Sequence, residues 1–114
     1  MANNNMGRLA EDMKREIIDI IGHMKDPRVQ GFLTVMRVDV TADLDNARVY
    51  ISVLGEEQAA QDAIKALNHA AGHVRSEIAK RMHIRKSPAF TFVRDEGAAY
   101  AARINKIIGE LNHD

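Results

Sequence analysis

The sequence predicts an α+β domain, a two-layer sandwich in which a three-stranded sheet carries helices on one face. Three observations predict it. Two stretches alternate apolar and polar residues at the period of a strand, and a third short one repeats the pattern. Between and around them, apolar residues recur at the spacing of one helix face. Each strand and each helix therefore has one apolar side, and a two-layer packing buries all of them together. A chain of 114 residues is long enough for one such core and too short for two, so residues 1–114 read as one domain.

Residues 1–5 (Met-Ala-Asn-Asn-Asn) read as a frayed, disordered tip. Leu9, Met13, Ile17, Ile20, Ile21 and Met24 then mark one face of a helix from about residue 6 to 23. Gly22 and the turn Lys25-Asp26-Pro27-Arg28 end it, because a proline pushes the residue before it out of helical geometry. Met36, Val38 and Val40 alternate with Arg37, Asp39 and Thr41, and Val49, Ile51 and Val53 alternate with Arg48, Tyr50 and Ser52. Leu33 and Val35 fall on the opposite phase from Met36, which points to a bulge or a doubly covered strand end. The polar run Thr41–Asn46 suits an antiparallel hairpin with a connection longer than the tight two-residue type.

Gly55 closes the second strand, and Glu56 and Glu57 place negative charge where a helix N-terminus favours it. Ala60, Ile64, Leu67 and Ala71 form one helical stripe, and Val74, Ile78 and Met82 form the next. Gly72 lies where the two meet. Glycine costs about 1 kcal/mol relative to alanine inside a helix, so it is expected to centre a bend between two helices. Ser87-Pro88 ends this region, and Ala89–Val93 makes the third strand, with Phe90 and Phe92 facing one way. Asp95 is placed to cap a last helix with Ala101, Ile104, Ile108 and Leu111 on its apolar face. No internal repeat or linker interrupts this order.

Composition excludes several chemistries. The chain has no cysteine, which removes disulfides, thiolate nucleophiles and cysteine zinc sites and suits a reducing cytoplasm. No apolar signal core and no membrane-length apolar run are present, so neither export nor a membrane partner is expected. His69 and His73 stand four apart, a spacing that can bind metal, but no third ligand accompanies them and an exposed polar pair is the expectation. Asp39, Asp43 and Asp45 lack calcium-loop spacing and read as turn chemistry. Ser52, Ser76 and Ser87 have no surrounding nucleophile motif, and no phosphate-binding Gly-rich loop occurs. Met6, Met13, Met24, Met36 and Met82 suit core packing. The reading is of a protein that is not an enzyme and takes no cofactor and no metal.

The zero net charge conceals a polarity. Residues 72–88 hold Arg75, Lys80, Arg81, Arg85 and Lys86 against Glu77 alone, leaving eleven basic and fifteen acidic residues elsewhere. A polyanion would therefore meet one face of the protein. The competing explanation is local, since Lys80, Arg81 and His83 sit near a helix C-terminus, where positive charge offsets the helix dipole by ~0.3–1 kcal/mol each.

The order αββααβ with a bent helix pair as crossover resembles the type II KH fold, an RNA-binding architecture. At residue level, His69-Ala-Ala-Gly-His-Val-Arg-Ser76, Lys80-Arg-Met-His-Ile-Arg85 and Pro88-Ala-Phe-Thr-Phe92 resemble ribosome-binding factor A. So do Leu9 to Ile17, Lys25-Asp26-Pro27-Arg28, and the hairpin residues Asp43-Leu44, Ala47 and Val49-Tyr50-Ile51. The resemblance covers roughly residues 8–111. Ordinary KH domains grip four nucleotides with a Gly-x-x-Gly loop between the paired helices. Here Ala70-Ala71-Gly72 resembles the Ala-x-Gly kink that replaces the loop in this family, so basic surface has more of the work to do. The resemblance implies a factor for late maturation of the small (30S) ribosomal subunit and processing of its 16S ribosomal RNA, especially in the cold, with no chemistry of its own. It would be a cytoplasmic monomer, with an assembly GTPase as a candidate second partner. Ala89 departs from the acid many relatives carry after the proline, and steps that depend on the charged tail of some members are not carried over. The alternatives are a protein-interaction module using the wet sheet face or first helix, or an RNA-binding KH-like domain without a ribosomal role.

Overall fold

The computed structural model describes residues 2–95, 97 and 107–109, with the side chains of 2–6 outside that description. Helix α1 spans Ala2–Gly22, starting four residues before the stretch its apolar pattern marks. A short 3-10 turn, Pro27–Val29, leads to strands β1 (Phe32–Val40) and β2 (Asn46–Leu54). Helices α2 (Glu57–His69) and α3 (Ala71–Met82) then cross to strand β3 (Ala89–Arg94). The sheet order is β1-β2-β3, with β1 and β2 antiparallel and β2 and β3 parallel. The parallel pairing obliges the chain to cross the length of the sheet between β2 and β3, and α2 and α3 make that crossing.

The core lies between the sheet and the helices. Met13, Ile17 and Ile20 from α1 meet Val35 and Val38, Val49 and Ile51, Leu67, Val74 and Ile78, and Phe90 and Phe92. Val49, Ile51, Leu67 and Ile78 have no accessible surface. The expected strand register is broken once, at a bulge between Val35 and Arg37. Met36 is the extra residue and is 42% exposed, so it leaves the core expected for it, while Leu33, Val35 and Val38 share the buried side. The phase mismatch in the sequence had this cause: one added residue flips every later side chain to the other face.

Local chemistry sets the connections. Asp26 caps the 3-10 turn, accepting from Arg28 N at 2.9 Å and from the Arg28 guanidinium at 2.7 Å, contacts that hold its carboxyl down at about 2. In the hairpin turn Asp43 Oδ1 accepts from the Thr41 hydroxyl at 2.7 Å and from Asp45 N at 3.0 Å. That is turn chemistry, as expected. Asp95 Oδ1 accepts from Gly97 N at 2.9 Å, the bond an N-cap makes. Residues 107–109 are helical, while most of the expected last helix, including Ala101, Ile104 and Leu111, lies outside the described residues.

The joint between α2 and α3 is one residue long. It falls at Ala70 (φ −91°, ψ 4°), whose N–H still reaches Ala66 O and whose O accepts from Val74 N at 3.0 Å. Gly72 lies two residues on, in the first turn of α3, exposed and without positive φ. A Cβ built on Gly72 would meet nothing within 4 Å. The bend therefore does not depend on the absence of a side chain there. It depends on one residue leaving helical geometry so that two apolar stripes can face one sheet.

Asn68, at the end of α2, ties this joint to the sheet. Its Nδ2 donates to Phe92 O at 2.9 Å and its Oδ1 accepts from Phe92 N at 2.8 Å. The amide thereby takes the place of a missing neighbour strand at the free edge of β3. Two outcomes follow for chemical denaturation. Gly72→Ala should stabilise the protein by roughly 0.5–1 kcal/mol, through helix propensity alone. Asn68→Ala should destabilise it by about 1–3 kcal/mol, since it strands two polar groups of the buried Phe92 backbone. A midpoint lowered by Gly72→Ala would return the bend to Gly72.

Candidate nucleic-acid interface

The five cations after the joint do not form one patch, because α3 divides them. At 100° per residue, Arg75 and Arg81 leave the helix about 120° apart, one on each flank of the buried Val74–Ile78 stripe. Lys80 points the opposite way from that stripe. The exposed ridge of α3 is Gly72, His73, Ser76 and Lys80, continued past the helix by His83 and Arg85. His69 and His73 belong to different helices, on either side of Ala70.

Each flank cation already has work inside the fold. Arg75 Nε donates to Ser87 O at 2.9 Å, holding the segment that enters β3. Arg81 reaches back to α1: its Nη1 lies 2.6 Å from Asp19 Oδ2 and 3.1 Å from Glu16 Oε2, while its Nε is 3.5 Å from Glu77. With three acids around one guanidinium, Arg81 is held still more firmly in its charged form, and its hydrogen bond pulls the Asp19 carboxyl below its ordinary value. Lys86 pairs with Asp45 in the hairpin turn, where Ala89 N also donates to Asp45 O at 2.9 Å. Lys80 and Arg85 make no ion pair or hydrogen bond among the described residues and are exposed.

The structure thus sorts the candidates by what surrounds them. Lys80 and Arg85 offer charge that is unpaired among the described residues. Arg75, Arg81 and Lys86 shape the surface that presents it: the charges of Arg81 and Lys86 are partly answered by Glu16, Asp19, Glu77 and Asp45, while Arg75 meets only the neutral Ser87 carbonyl among the described residues. Sequence reasoning could not separate them, because the partners of Arg81 on α1 lie more than sixty residues away in the chain. It also missed the exposed His83 as part of this ridge, although the spacing from Lys80 is one helical turn.

A one-residue joint leaves no projecting loop between the paired helices, and the exposed face of α3 leads away from it to Lys80 and Arg85. With the mixed sheet and α2–α3 crossover, this defines a KH-like α+β protein lacking the nucleotide-gripping loop. The comparisons make the membership specific. The family profile for ribosome-binding factor A matches residues 5–108. A ribosome-binding factor A from Desulfitobacterium hafniense (strain DSM 10664 / DCB-2) is 47% identical over 109 residues, covering 95% of this chain and 86% of that one. The crystal structure of ribosome-binding factor A from Thermus thermophilus superposes with a TM-score of 0.69 at 28% identity, over 78% of this chain and 94% of that one. A Thermus thermophilus homology model fitted into the cryo-EM map of a 30S complex gives a TM-score of 0.65 at 28% identity, over 79% of this chain and 94% of the other. The chain belongs to the ribosome-binding factor A family.

The Arg81 node makes a pH-dependent prediction. Asp19 has a lowered folded-state pKa, so its contribution is full above its unfolded value, near 4, and is lost as pH falls through the folded value. Arg81→Ala should therefore lower the melting temperature at pH 7, and the gap to the unsubstituted protein should shrink as pH falls below about 4. A gap that is constant from pH 7 to pH 3 would mean that Arg81 acts by packing its stem rather than by its charge.

Proposed function

We propose that this protein is a non-enzymatic assembly factor that binds the small ribosomal subunit through its 16S ribosomal RNA. It acts there late in maturation, in processing of that RNA and in adaptation to cold, as a monomer in the cytoplasm. An assembly GTPase is a candidate second partner. The observation that carries the reading is the exposed ridge ending in Lys80 and Arg85, two cations without partners among the described residues, on a KH-like scaffold. The relative placed in a 30S complex supports the choice of the ribosome as the RNA's source.

The physics required is modest. A protein without catalytic groups shifts RNA folding only by binding one RNA state more tightly than another. Phosphate contacts supply affinity and position, and the shape of the folded RNA supplies selectivity. A protein-interaction role is the second reading. It is favoured by Phe32 and Leu54, which face each other across β1 and β2 and are 78% and 72% exposed.

Salt separates the two readings. Binding to immature small subunits should weaken as salt rises, with each phosphate contact contributing roughly 0.7–0.9 to the log–log slope. Reversing Lys80 and Arg85 to Glu should flatten that slope by more than one unit and leave the melting temperature nearly unchanged. Reversing Arg8 and Lys14 on α1 changes net charge equally and serves as the control. Equal losses from both pairs would mean only that a more acidic protein avoids RNA, and salt-independent binding would favour the protein-contact reading.

A further inference from the structure

At His83, where α3 ends, the backbone enters the left-handed region (φ 53°, ψ 44°). The excursion is needed. It returns the Ile84 N–H to Ala79 O at 3.2 Å and sets the Ile84 side chain against the core. This helix ending ordinarily selects glycine, because any Cβ is strained at that φ. Among the described residues, Leu44 (φ 61°) is the other non-glycine residue with positive φ, and its side chain is half-buried in the hairpin turn. The His83 side chain is exposed and makes no hydrogen bond or ion pair among the described residues. A strained position thus holds an aromatic ring that makes no hydrogen bond or ion pair among the described residues.

We propose that His83 contacts RNA directly, its imidazole stacking on an unpaired base of the strand whose phosphates Lys80 and Arg85 hold. The inference rests on the RNA-binding reading above and adds a residue and a mode of contact to it. Lys80 lies one helical turn before His83 and Arg85 two residues after it, both exposed. A flat ring set between two exposed cations matches how single-stranded segments are held, with charge following the backbone and an aromatic side chain meeting a base. The competing account is that an imidazolium at this site only offsets the dipole of α3, which would make His83 a stabilising residue and not a binding one.

The test uses the full chain with 16S ribosomal RNA in immature small subunits, and reads melting temperature and affinity across salt concentrations. His83→Gly should melt at or above the unsubstituted protein, since it relieves strain. It should bind about tenfold more weakly, the loss of one stacked base, with an unchanged salt slope because no phosphate contact is removed. His83→Phe should keep most of the affinity. Undiminished binding by His83→Gly, a flattened slope, or equal weakness of His83→Phe would each overturn stacking. A lower melting temperature for His83→Gly would assign the ring to the helix end instead. Lys80→Glu, measured alongside, tells the failures apart. If it weakens binding and His83→Gly does not, the His83 assignment alone falls. If neither does, the RNA-binding reading falls with it.

Discussion

Everything in this protein is referred to β2. Of the three described strands it is the one paired on both sides, antiparallel to β1 and parallel to β3, and its Val49 and Ile51 are fully buried. The antiparallel partner is reached by a hairpin turn. The parallel partner cannot be, because the chain must first travel back along the sheet. That constraint accounts for α2 and α3, for the sharp joint between them, and for the position of the basic ridge at the far end of α3.

The joint shows how packing overrides a local cue. Glycine is the residue expected at a bend, and Gly72 stands close to one. The bend nevertheless falls at Ala70, because the stripes on either side meet the sheet only if the break comes there. Asn68 reinforces the same choice by closing both Phe92 backbone groups at the free edge of β3. An edge strand covered in this way also has less tendency to pair with another chain.

Electrostatics follow the same division between local and long-range. A cluster of five cations in seventeen residues looks like one surface when read along the chain. In three dimensions it separates into charges that hold elements together and charges that are exposed without a partner among the described residues. Arg81 fastens α3 to α1, Lys86 fastens the approach to β3 onto the hairpin turn, and Arg75 fastens the same approach to α3. Lys80 and Arg85 stand on the elements those three hold in place. Reversing the whole cluster at once would confuse loss of contact with loss of structure.

The sequence by itself determined the order of elements, the hairpin, the buried faces of α1, β2 and β3, and the family. Those features are written in periods of two and about 3.6 residues, in turn residues and in short motifs, all of which act within a few positions of each other. Even the Met36 bulge left a trace, as a phase error between Val35 and Val38. Only the tertiary structure decided that Ala70 is the joint, that Asn68 closes the edge of β3, and which cations of the cluster are tied to other elements. Those outcomes depend on groups brought together from 12 to 65 residues apart, such as Arg75 with Ser87, Asn68 with Phe92 and Arg81 with Glu16. Local periodicity carries no record of such partners, so a charged side chain reads the same in the sequence whether an acid will answer it or not.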